Sequence, residues 1–436
     1  MKRRWRAVCL GLVATLALAL ALALAAWWDR EEPVPPSDAA APAATPGQIE
    51  RGRVLALAGN CAGCHTARGG LPYAGGRAIG TPFGTVHAGN LTPHVQTGLG
   101  RWTAGHFWRA LHHGRGFDGR RLVPAFPYTE TTRITRDDSD ALFAYLRTLA
   151  PVDQPPTAHD LGWPFGTPAA LAAWRVLFFR PGVWQADERQ SAAWNRGAYL
   201  VNGAGHCAAC HGGRNALGGA GAGFGGGLIP TRNWYAPAFT RAAEASVADW
   251  SLDDIVALLR DGTSARGQAT GPMAEVVSRS TQHLPAADLQ AMAVYLKSLP
   301  AEPAPAPPAT RRTEPADVTR RVEQGAALYR DHCAACHGDE GEGGVLASGR
   351  RVVPALAGNR LVTMDPPANL VRAIALGGFG AVTAGNPRPY GMPPFAHVLS
   401  EEQIGVVATH LRRSWGAQAA PVSAPEVARW RGGSDD

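Results

Sequence analysis

The sequence predicts an all-α protein built from three small helical units in tandem. The stretch HCAACHG occurs at 206–212 and again at 332–338, and a near copy, NCAGCHT, occupies 60–66. Each stretch follows a helical pattern and is followed, after a loop-rich region, by a second helical pattern. An internal repeat of this kind is typical of tandem domains that each repeat one structural unit.

Each unit opens with a short helix directly before its cysteine pair. Each opening helix contains a glycine at a similar place, Gly52, Gly197 or Gly325. Glycine inside a helix is about 1 kcal/mol less favourable than alanine. Its recurrence therefore predicts that another helix crosses closely there.

Each unit closes with an amphipathic helix, predicted over 137–149, 285–299 and 400–414. Acidic residues crowd the first turn and basic residues the last, as the helix dipole favours. Ser400 and Gln403 have the spacing of a capping box. Between its two helices each unit is mostly loop, which predicts that a large apolar cofactor fills its centre.

Composition shifts set the expected boundaries. Proline-rich stretches indicate semi-rigid linkers, whereas the apolar run LAAWRVLFF at 171–179 predicts a packed helix. The segments are a signal peptide or membrane anchor 1–28, a linker 29–47, unit one 48–150, a connecting segment 151–190, unit two 191–300, a linker 301–317, unit three 318–416 and a C-terminal tail 417–436.

The first 28 residues combine a basic start with the apolar run 7–28. This layout is that of an export signal, yet the run is also long enough to span a bilayer. Cleavage near Ala23–Ala25 and retention as an anchor both remain open. In either case the rest of the chain is expected on the periplasmic side of the inner membrane.

Six of the seven cysteines belong to CxxCH units, the attachment signature of c-type haem. The predicted attachment residues are Cys61, Cys64 and His65 in unit one, Cys207, Cys210 and His211 in unit two, and Cys333, Cys336 and His337 in unit three. Each histidine would ligate iron from the proximal side. A thioredoxin-like pair does not need the trailing histidine, and a zinc finger needs a second ligand pair that the sequence lacks. We therefore expect three covalently bound haem c groups.

A methionine from downstream is the expected sixth ligand, because it suits electron transfer. The candidates are Met273 in GPMAEVV and Met392 in YGMPPF, both expected in loops before a closing helix. Met292 and Met364 are expected to fill core space instead.

Unit one has no methionine, and Phe126 stands at the matching place in PAFPY. Its iron is either five-coordinate or bound by a histidine. The histidines within reach in sequence are His87, His94, His106, His112 and His113.

The formal net charge of +7 does not indicate nucleic-acid binding. Four of the positive charges lie in the export segment, and each haem adds about two negative propionates. No stripe of lysine and arginine suited to nucleic acid is present.

The exported part resembles the triple-haem cytochrome c subunits of bacterial membrane-bound dehydrogenases. The resemblance rests on GTPFGTV (80–86), NLTP (90–93), TGLGRW (97–102), NRGAYLVNGAGHCAACH (195–211), STQHL (280–284), MPPFAHVLSEEQI (392–404) and RRSWG (412–416). It implies three tandem class I cytochrome c-like domains, each a few short helices around a covalent haem, with Met273 and Met392 as axial ligands.

The resemblance also implies partners: a catalytic quinoprotein, flavoprotein or molybdoprotein subunit, and ubiquinone or a terminal oxidase as acceptor. With Phe126 at the place where many members have methionine, the sequence is more like the members of the family that serve molybdenum-containing aldehyde, nicotinate or isoquinoline dehydrogenases. The leading expectation is therefore a non-catalytic electron-transfer subunit, since no dinucleotide fingerprint or nucleophile motif is present. The alternatives are a free-standing multihaem carrier and a haem enzyme that uses an open iron in unit one.

Overall fold

The computed structural model describes residues 11–13, 15–16, 43–221, 223–303, 316–347 and 351–433. Helices dominate this part of the chain. They are α1 Pro46–Ala58, α2 Cys61–Cys64, α3 Ala104–His113, α4 Tyr128–Thr131, α5 Arg136–Leu146, α6 Pro168–Phe178, α7 Ala192–Tyr199, α8 Ala208–His211, α9 Leu252–Asp261, α10 Pro272–Arg279, α11 Ala286–Lys297, α12 Ala316–His332, α13 Ala334–His337, α14 Arg360–Thr363, α15 Ala368–Leu376, α16 Glu401–Arg413 and α17 Ala424–Arg431. A π-helical turn, Leu200–Ala204, extends α7, and a 3₁₀ turn covers Thr281–His283.

The opening and closing helices of each unit cross at the predicted glycine. A Cβ atom at Gly52 would overlap the Ala141 carbonyl of α5, and one at Gly197 would overlap the Ala291 carbonyl of α11. At Gly325 it would lie 2.5 Å from a carbonyl oxygen of α16. The predicted close helix crossing is confirmed in all three places, because only a residue without a side chain lets the two backbones approach so far.

The closing helices lie where the sequence predicts them, within a few residues at each end. Ser400 and Gln403 form the predicted capping box at the start of α16: the Ser400 hydroxyl accepts from the Gln403 N–H at 3.2 Å, and the Gln403 side chain accepts from the Ser400 N–H at 2.9 Å. These bonds satisfy two of the N–H groups that a helix start leaves without partners.

Among the residues that the structure describes, four small antiparallel sheets depart from the all-α prediction. They are built from β1 Ala78–Thr81, β2 Gly84–His87, β3 Asp160–Leu161, β4 Gly227–Ile229, β5 Trp234–Ala236, β6 Gly344–Val345, β7 Arg351–Val353, β8 Gly378–Phe379 and β9 Gly391–Met392. Strands this short cannot show the alternating pattern over four to eight residues by which strands are recognised in a sequence. Through these strands, the long loops of each unit form backbone hydrogen bonds.

The connecting segment packs onto unit one, and it contains the predicted helix as α6. Its strand β3 adds a third strand to the β1–β2 hairpin. The buried Arg175 of α6 donates to the His113 carbonyl at 2.5 Å and lies over the Phe179 ring at 4.6 Å. The segment is therefore part of the packed structure.

Units one and two share a continuous apolar core and are joined by buried polar contacts. The Tyr199 hydroxyl donates to Asp138 at 2.5 Å, although α7 and α5 belong to different units. Arg133 of unit one donates to the Asn202 carbonyl of unit two at 3.1 Å. Such contacts hold the two units in one orientation.

Unit three has its own core and meets unit two at β5 and α15. The Tyr235 N–H donates to Asn369 Oδ1 and the Asn369 side chain returns a bond to the Tyr235 carbonyl, both at 2.8 Å. The buried Arg372 guanidinium lies 5.2 Å from the Trp234 ring centre. Because hydrogen bonds are directional, these contacts fix the orientation of unit three relative to unit two.

The predicted C-terminal tail contains a helix that the sequence analysis did not anticipate. Val427 and Trp430 of α17 are buried against unit three. Asn233 of unit two donates to the carbonyls of Arg429 at 3.1 Å and Gly432 at 2.7 Å. The helix therefore connects unit three to unit two.

Most of the predicted export segment 1–28 lies outside the described residues, apart from 11–13 and 15–16, which are helical. Within the described ranges, every helix is too short or too polar to cross a membrane. The remaining domain limits stay predictions.

A glycine pair on α1 tests the close helix crossing. Replacing Gly52 with alanine should lower the free energy of unfolding by roughly 1–3 kcal/mol, because the added methyl group would force α1 and α5 apart. Gly47 lies on the same helix with open space around its Cβ position. Gly47→Ala should therefore be neutral or stabilising by up to about 1 kcal/mol. Denaturant unfolding followed by circular dichroism measures the free energy of unfolding of both variants. Equal changes in the two variants would contradict the close helix crossing at Gly52.

Candidate haem-attachment sites

Each CxxCH stretch forms one tight turn that brings two thiols and an imidazole together. In every unit the backbone N–H of the histidine donates to the backbone carbonyl of the first cysteine at 2.9 Å: His65 to Cys61, His211 to Cys207 and His337 to Cys333. Asn60 and His206, each directly before the first cysteine, have positive φ angles of 44° and 38°. The chain therefore turns sharply from the opening helix into the attachment turn in units one and two.

The ring of each histidine is held by a backbone carbonyl. Nδ1 lies 2.6 Å from the Gly89 oxygen for His65, 2.7 Å from the Pro237 oxygen for His211, and 3.1 Å from the Pro354 oxygen for His337. Because a carbonyl only accepts, Nδ1 carries the proton and Nε2 presents its lone pair. Burial lowers the pKa of all three rings, so they are neutral, as a metal ligand must be.

The first cysteine of each pair packs against a hydrophobic core, whereas the second is exposed. Burial raises the thiol pKa to about 12 for Cys61 and Cys207 and to about 11 for Cys333. These three thiols are therefore protonated at neutral pH before any haem is attached. The six cysteines form no disulfide, and the described residues contain no cluster of three or more metal-ligating side chains.

The residues present fit a covalently attached haem. The donor set is two thiols on one turn and one oriented imidazole nitrogen, as that cofactor requires. In unit two, the buried Trp250 ring has a side-chain N–H without a hydrogen-bond partner among the described residues. A buried donor without a partner is rare, and a haem propionate is an acceptor that would satisfy it.

The structure places both predicted methionine ligands beside the core of their own unit. Met273 packs against the same cluster as Cys207, and Met392 packs against the same cluster as Cys333. The expectation that both lie in loops is wrong, because Met273 is in the first turn of α10 and Met392 is in β9. Pro272 starts α10, as proline at the first helical position favours.

Met292 and Met364 lie where the sequence analysis expects them. Met292, in α11, is buried in the core of units one and two, and Met364 is buried in the core of unit three. Both side chains fill core space.

Phe126 of unit one is partly buried and packs against the cluster that also contacts Cys61. Three of the candidate histidines, His94, His106 and His112, are engaged in local structure, whereas Nδ1 of His87 is buried without a hydrogen-bond partner among the described residues. His94 Nδ1 lies 2.8 Å from the Thr97 hydroxyl, and His106 forms a capping box with Thr103 at the start of α3. His112 is buried with its Nδ1 2.7 Å from the Thr132 carbonyl.

An ion-pair network between the first two attachment turns was missed by sequence reasoning. Arg77 donates to the Gly63 carbonyl inside the CAGC turn and to Glu275 of α10 at 3.0 Å. Arg232 lies 3.9 Å from the same carboxylate. Nothing in the sequence points to this network, since Arg77 and Glu275 are 198 residues apart. The two attachment turns also meet directly, with His206 Nε2 3.0 Å from the Gly59 carbonyl.

Family models match the chain in three places. The cytochrome c model matches residues 49–150 and 195–300. The model of cbb3-type cytochrome c oxidase subunit III matches residues 320–411. Each match contains one of the attachment turns.

Several characterised proteins are similar over most of this chain. The cytochrome c subunit of the quinone alcohol dehydrogenase of Gluconobacter oxydans is 36% identical over 88% of this chain and 82% of its own. The fructose dehydrogenase cytochrome subunit of Gluconobacter japonicus is 34% identical over 96% of this chain and 89% of its own. One subunit of the nicotinate dehydrogenase of Pseudomonas putida is 40% identical over 85% of this chain, which spans only 30% of that longer protein.

A pair of tryptophans tests the propionate contact at Trp250. Trp250→Phe keeps an aromatic ring but removes the N–H, and one haem midpoint potential should fall by up to about 40 mV, the one-electron equivalent of a whole hydrogen bond of about 1 kcal/mol. Trp194 donates its N–H to the Ser298 hydroxyl at 2.7 Å. Trp194→Phe should therefore leave every potential unchanged. Redox titration of both variants measures these potentials. Unchanged potentials in Trp250→Phe would contradict a hydrogen bond from Trp250 to a haem propionate.

Proposed function

The chain belongs to the family of cytochrome c subunits of dehydrogenase complexes, and we propose that it carries three haem c groups. Through them it passes electrons from a catalytic dehydrogenase subunit to ubiquinone or a terminal oxidase. The observation that carries this proposal is the threefold recurrence of one attachment geometry, with two thiols and a carbonyl-bound imidazole on a single turn.

In this proposal the chain's own residues hold and tune the cofactors. The cysteine pairs fix each haem covalently, and His65, His211 and His337 present Nε2 to the proximal face. Met273 and Met392 would supply thioether sulfur as a further iron ligand in units two and three. When bound, haem iron exchanges one electron at a time between its ferrous and ferric states.

Substrate oxidation is assigned to a partner subunit in this proposal. The chain has no dinucleotide fingerprint or nucleophile motif, so its role is electron transfer without bond-making. Quinoprotein, flavoprotein and molybdoprotein partners all fit. The departure at Phe126 and the 40% identity to the nicotinate dehydrogenase protein of Pseudomonas putida favour a molybdoprotein.

The proposed location is the periplasmic side of the inner membrane. Support comes from the basic start and apolar run of residues 1–28. A signal peptide that is cleaved and an anchor that is retained would both deliver the haem-bearing units there. The amino-terminal sequence of the isolated protein distinguishes them.

A free-standing multihaem carrier is the second candidate. Isolation under mild conditions separates it from the leading proposal, because a dehydrogenase subunit should co-purify with a large partner in fixed stoichiometry. A carrier that serves several enzymes would be isolated alone.

Haem content is the direct test of the three sites. The mass of the isolated protein should exceed that of its polypeptide by three haem groups. Replacing Cys207 and Cys210 together with alanine should remove one haem, because both thioether bonds of unit two are then lost. A native mass with fewer than three haems would refute the proposal.

Met392 provides a test of axial ligation. Met392→Ala should lower one midpoint potential by roughly 100–300 mV, a shift within the range of about 0.8 V that axial ligands control. Covalent attachment should be retained, because the cysteines are untouched. Met364→Leu is the matched control, since Met364 is buried in the core of the same unit. Redox titration with three unchanged midpoints in Met392→Ala would contradict the assignment.

A further inference from the structure

Backbone hydrogen bonds align units one and two residue by residue on the side where Met273 lies. The Gly114 carbonyl that ends α3 accepts from the Leu122 N–H at 2.8 Å, and the Gly262 carbonyl that ends α9 accepts from the Ala269 N–H at 2.8 Å. Leu122 and Ala269 are therefore equivalent. Four residues further along the chain lie Phe126 and Met273.

The bridges inside the same loops give the same register. Arg115 pairs with Arg121 in unit one and Thr263 pairs with Gln268 in unit two, both antiparallel. Phe126 and Met273 are both half-buried and pack against the same apolar cluster. The side chain that takes the place of the sulfur ligand in unit one is thus an aromatic hydrocarbon without a lone pair to donate.

The histidines at the end of α3 do not replace the missing ligand. The Thr131 hydroxyl donates to the Leu111 carbonyl and the Thr281 hydroxyl to the Leu259 carbonyl, so Leu111 and Leu259 are equivalent. The residues that follow are then His112 and His113 in unit one and Arg260 and Asp261 in unit two. Arg260 and Asp261 form an ion pair at 2.7 Å, and the Arg260 side chain is 56% exposed. The Asp261 side chain, at the position of His113, is 17% exposed, and the two positions together hold a charged pair in the unit that has the methionine.

His112 itself is held away from the position of Phe126 by its own contacts. Its Nδ1 is 2.7 Å from the Thr132 carbonyl, and its ring stacks on Trp108 with centroids 4.4 Å apart. The ring therefore lies between the ends of α3 and α4. It belongs to the packing of these helices.

His87 lies on the opposite side of the proximal histidine. It is in β2, two residues before Gly89, whose carbonyl holds Nδ1 of His65. The two nitrogens of an imidazole ring point in nearly opposite directions, so this strand lies behind His65, away from Nε2. His94 and His106 are bonded to neighbouring threonines, Thr97 and Thr103.

We infer that Phe126 leaves the iron of unit one with an open sixth position, where small neutral ligands such as carbon monoxide or nitric oxide bind. The inference rests on the proposed function only in requiring a haem in unit one. The apolar cluster against which Phe126 packs indicates the ligand class. Phe126 packs against a cluster that includes Phe107 and Leu111, and such surroundings disfavour a charged ligand because burying an unpaired charge is costly.

Binding forms one dative bond from the ligand's lone pair to ferrous iron, and no bond breaks. The other two haems have methionine ligands in the proposal and should not react. Phe126 and Met273 therefore provide an internal comparison, because they occupy equivalent positions and only Met273 has a sulfur atom.

Carbon monoxide titration of the chemically reduced, haem-loaded protein tests the inference. The native chain should bind about one equivalent, because only one iron is open. Phe126→Met should lose all carbon monoxide binding and the high-spin ferric signal in electron paramagnetic resonance. Phe126→Leu, which also lacks a lone pair, should still bind about one equivalent. Met273→Phe in the native background should raise binding to about two equivalents.

Each outcome distinguishes this inference from the proposed function. A native protein with three haems by mass but no carbon monoxide binding would overturn the open position and leave the electron-transfer role intact. A haem-loaded Phe126→Met variant that binds as much as the native chain would overturn the register argument. If Phe126→Met fails to hold haem, the Met273→Phe variant decides, and no gain of binding there would overturn the inference.

Discussion

The hydrogen bond from the histidine of each CxxCH turn to a backbone carbonyl is the constraint on which the proposed haem sites depend. It fixes the tautomer, keeps Nε2 available and prevents the ring from rotating out of place. The three acceptors are carbonyls of Gly89, Pro237 and Pro354, which lie 24, 26 and 17 residues after their histidines. The loop of each unit must therefore return to its own attachment turn, and the small sheets help it to do so.

Close approach of helices provides the second constraint, since it makes each unit rigid enough to hold a large cofactor. The glycine crossings bring opening and closing helices into backbone contact. Units one and two are then joined by the contact between Tyr199 and Asp138 and by the ion pair between Arg77 and Glu275. The attachment turns consequently occupy fixed positions relative to one another, which suits a protein whose proposed role depends on the separation of its cofactors.

The sequence predicted what depends on local pattern and on repetition. The glycines of the opening helices, the capping box at Ser400 and the helix within 151–190 were all readable from spacing and residue type. What it could not predict depends on distant partners or on very short elements. Strands of two to four residues carry no periodicity, and Arg77 meets Glu275 only after two units have folded together. Helix α17 was missed although Ser423 and Glu426 have the spacing of a capping box and Pro425 lies in its first turn. The burial of Val427 and Trp430 against unit three, by contrast, depends on a distant partner.

The position of α17 near the end of the chain means that unit three is fastened to unit two in part by residues that lie beyond its own closing helix. The Asn233 side chain of unit two and the buried Arg372 of unit three both donate to the Gly432 carbonyl at 2.7 Å. A chain that ended after α16 would therefore lose an acceptor that these two side chains share.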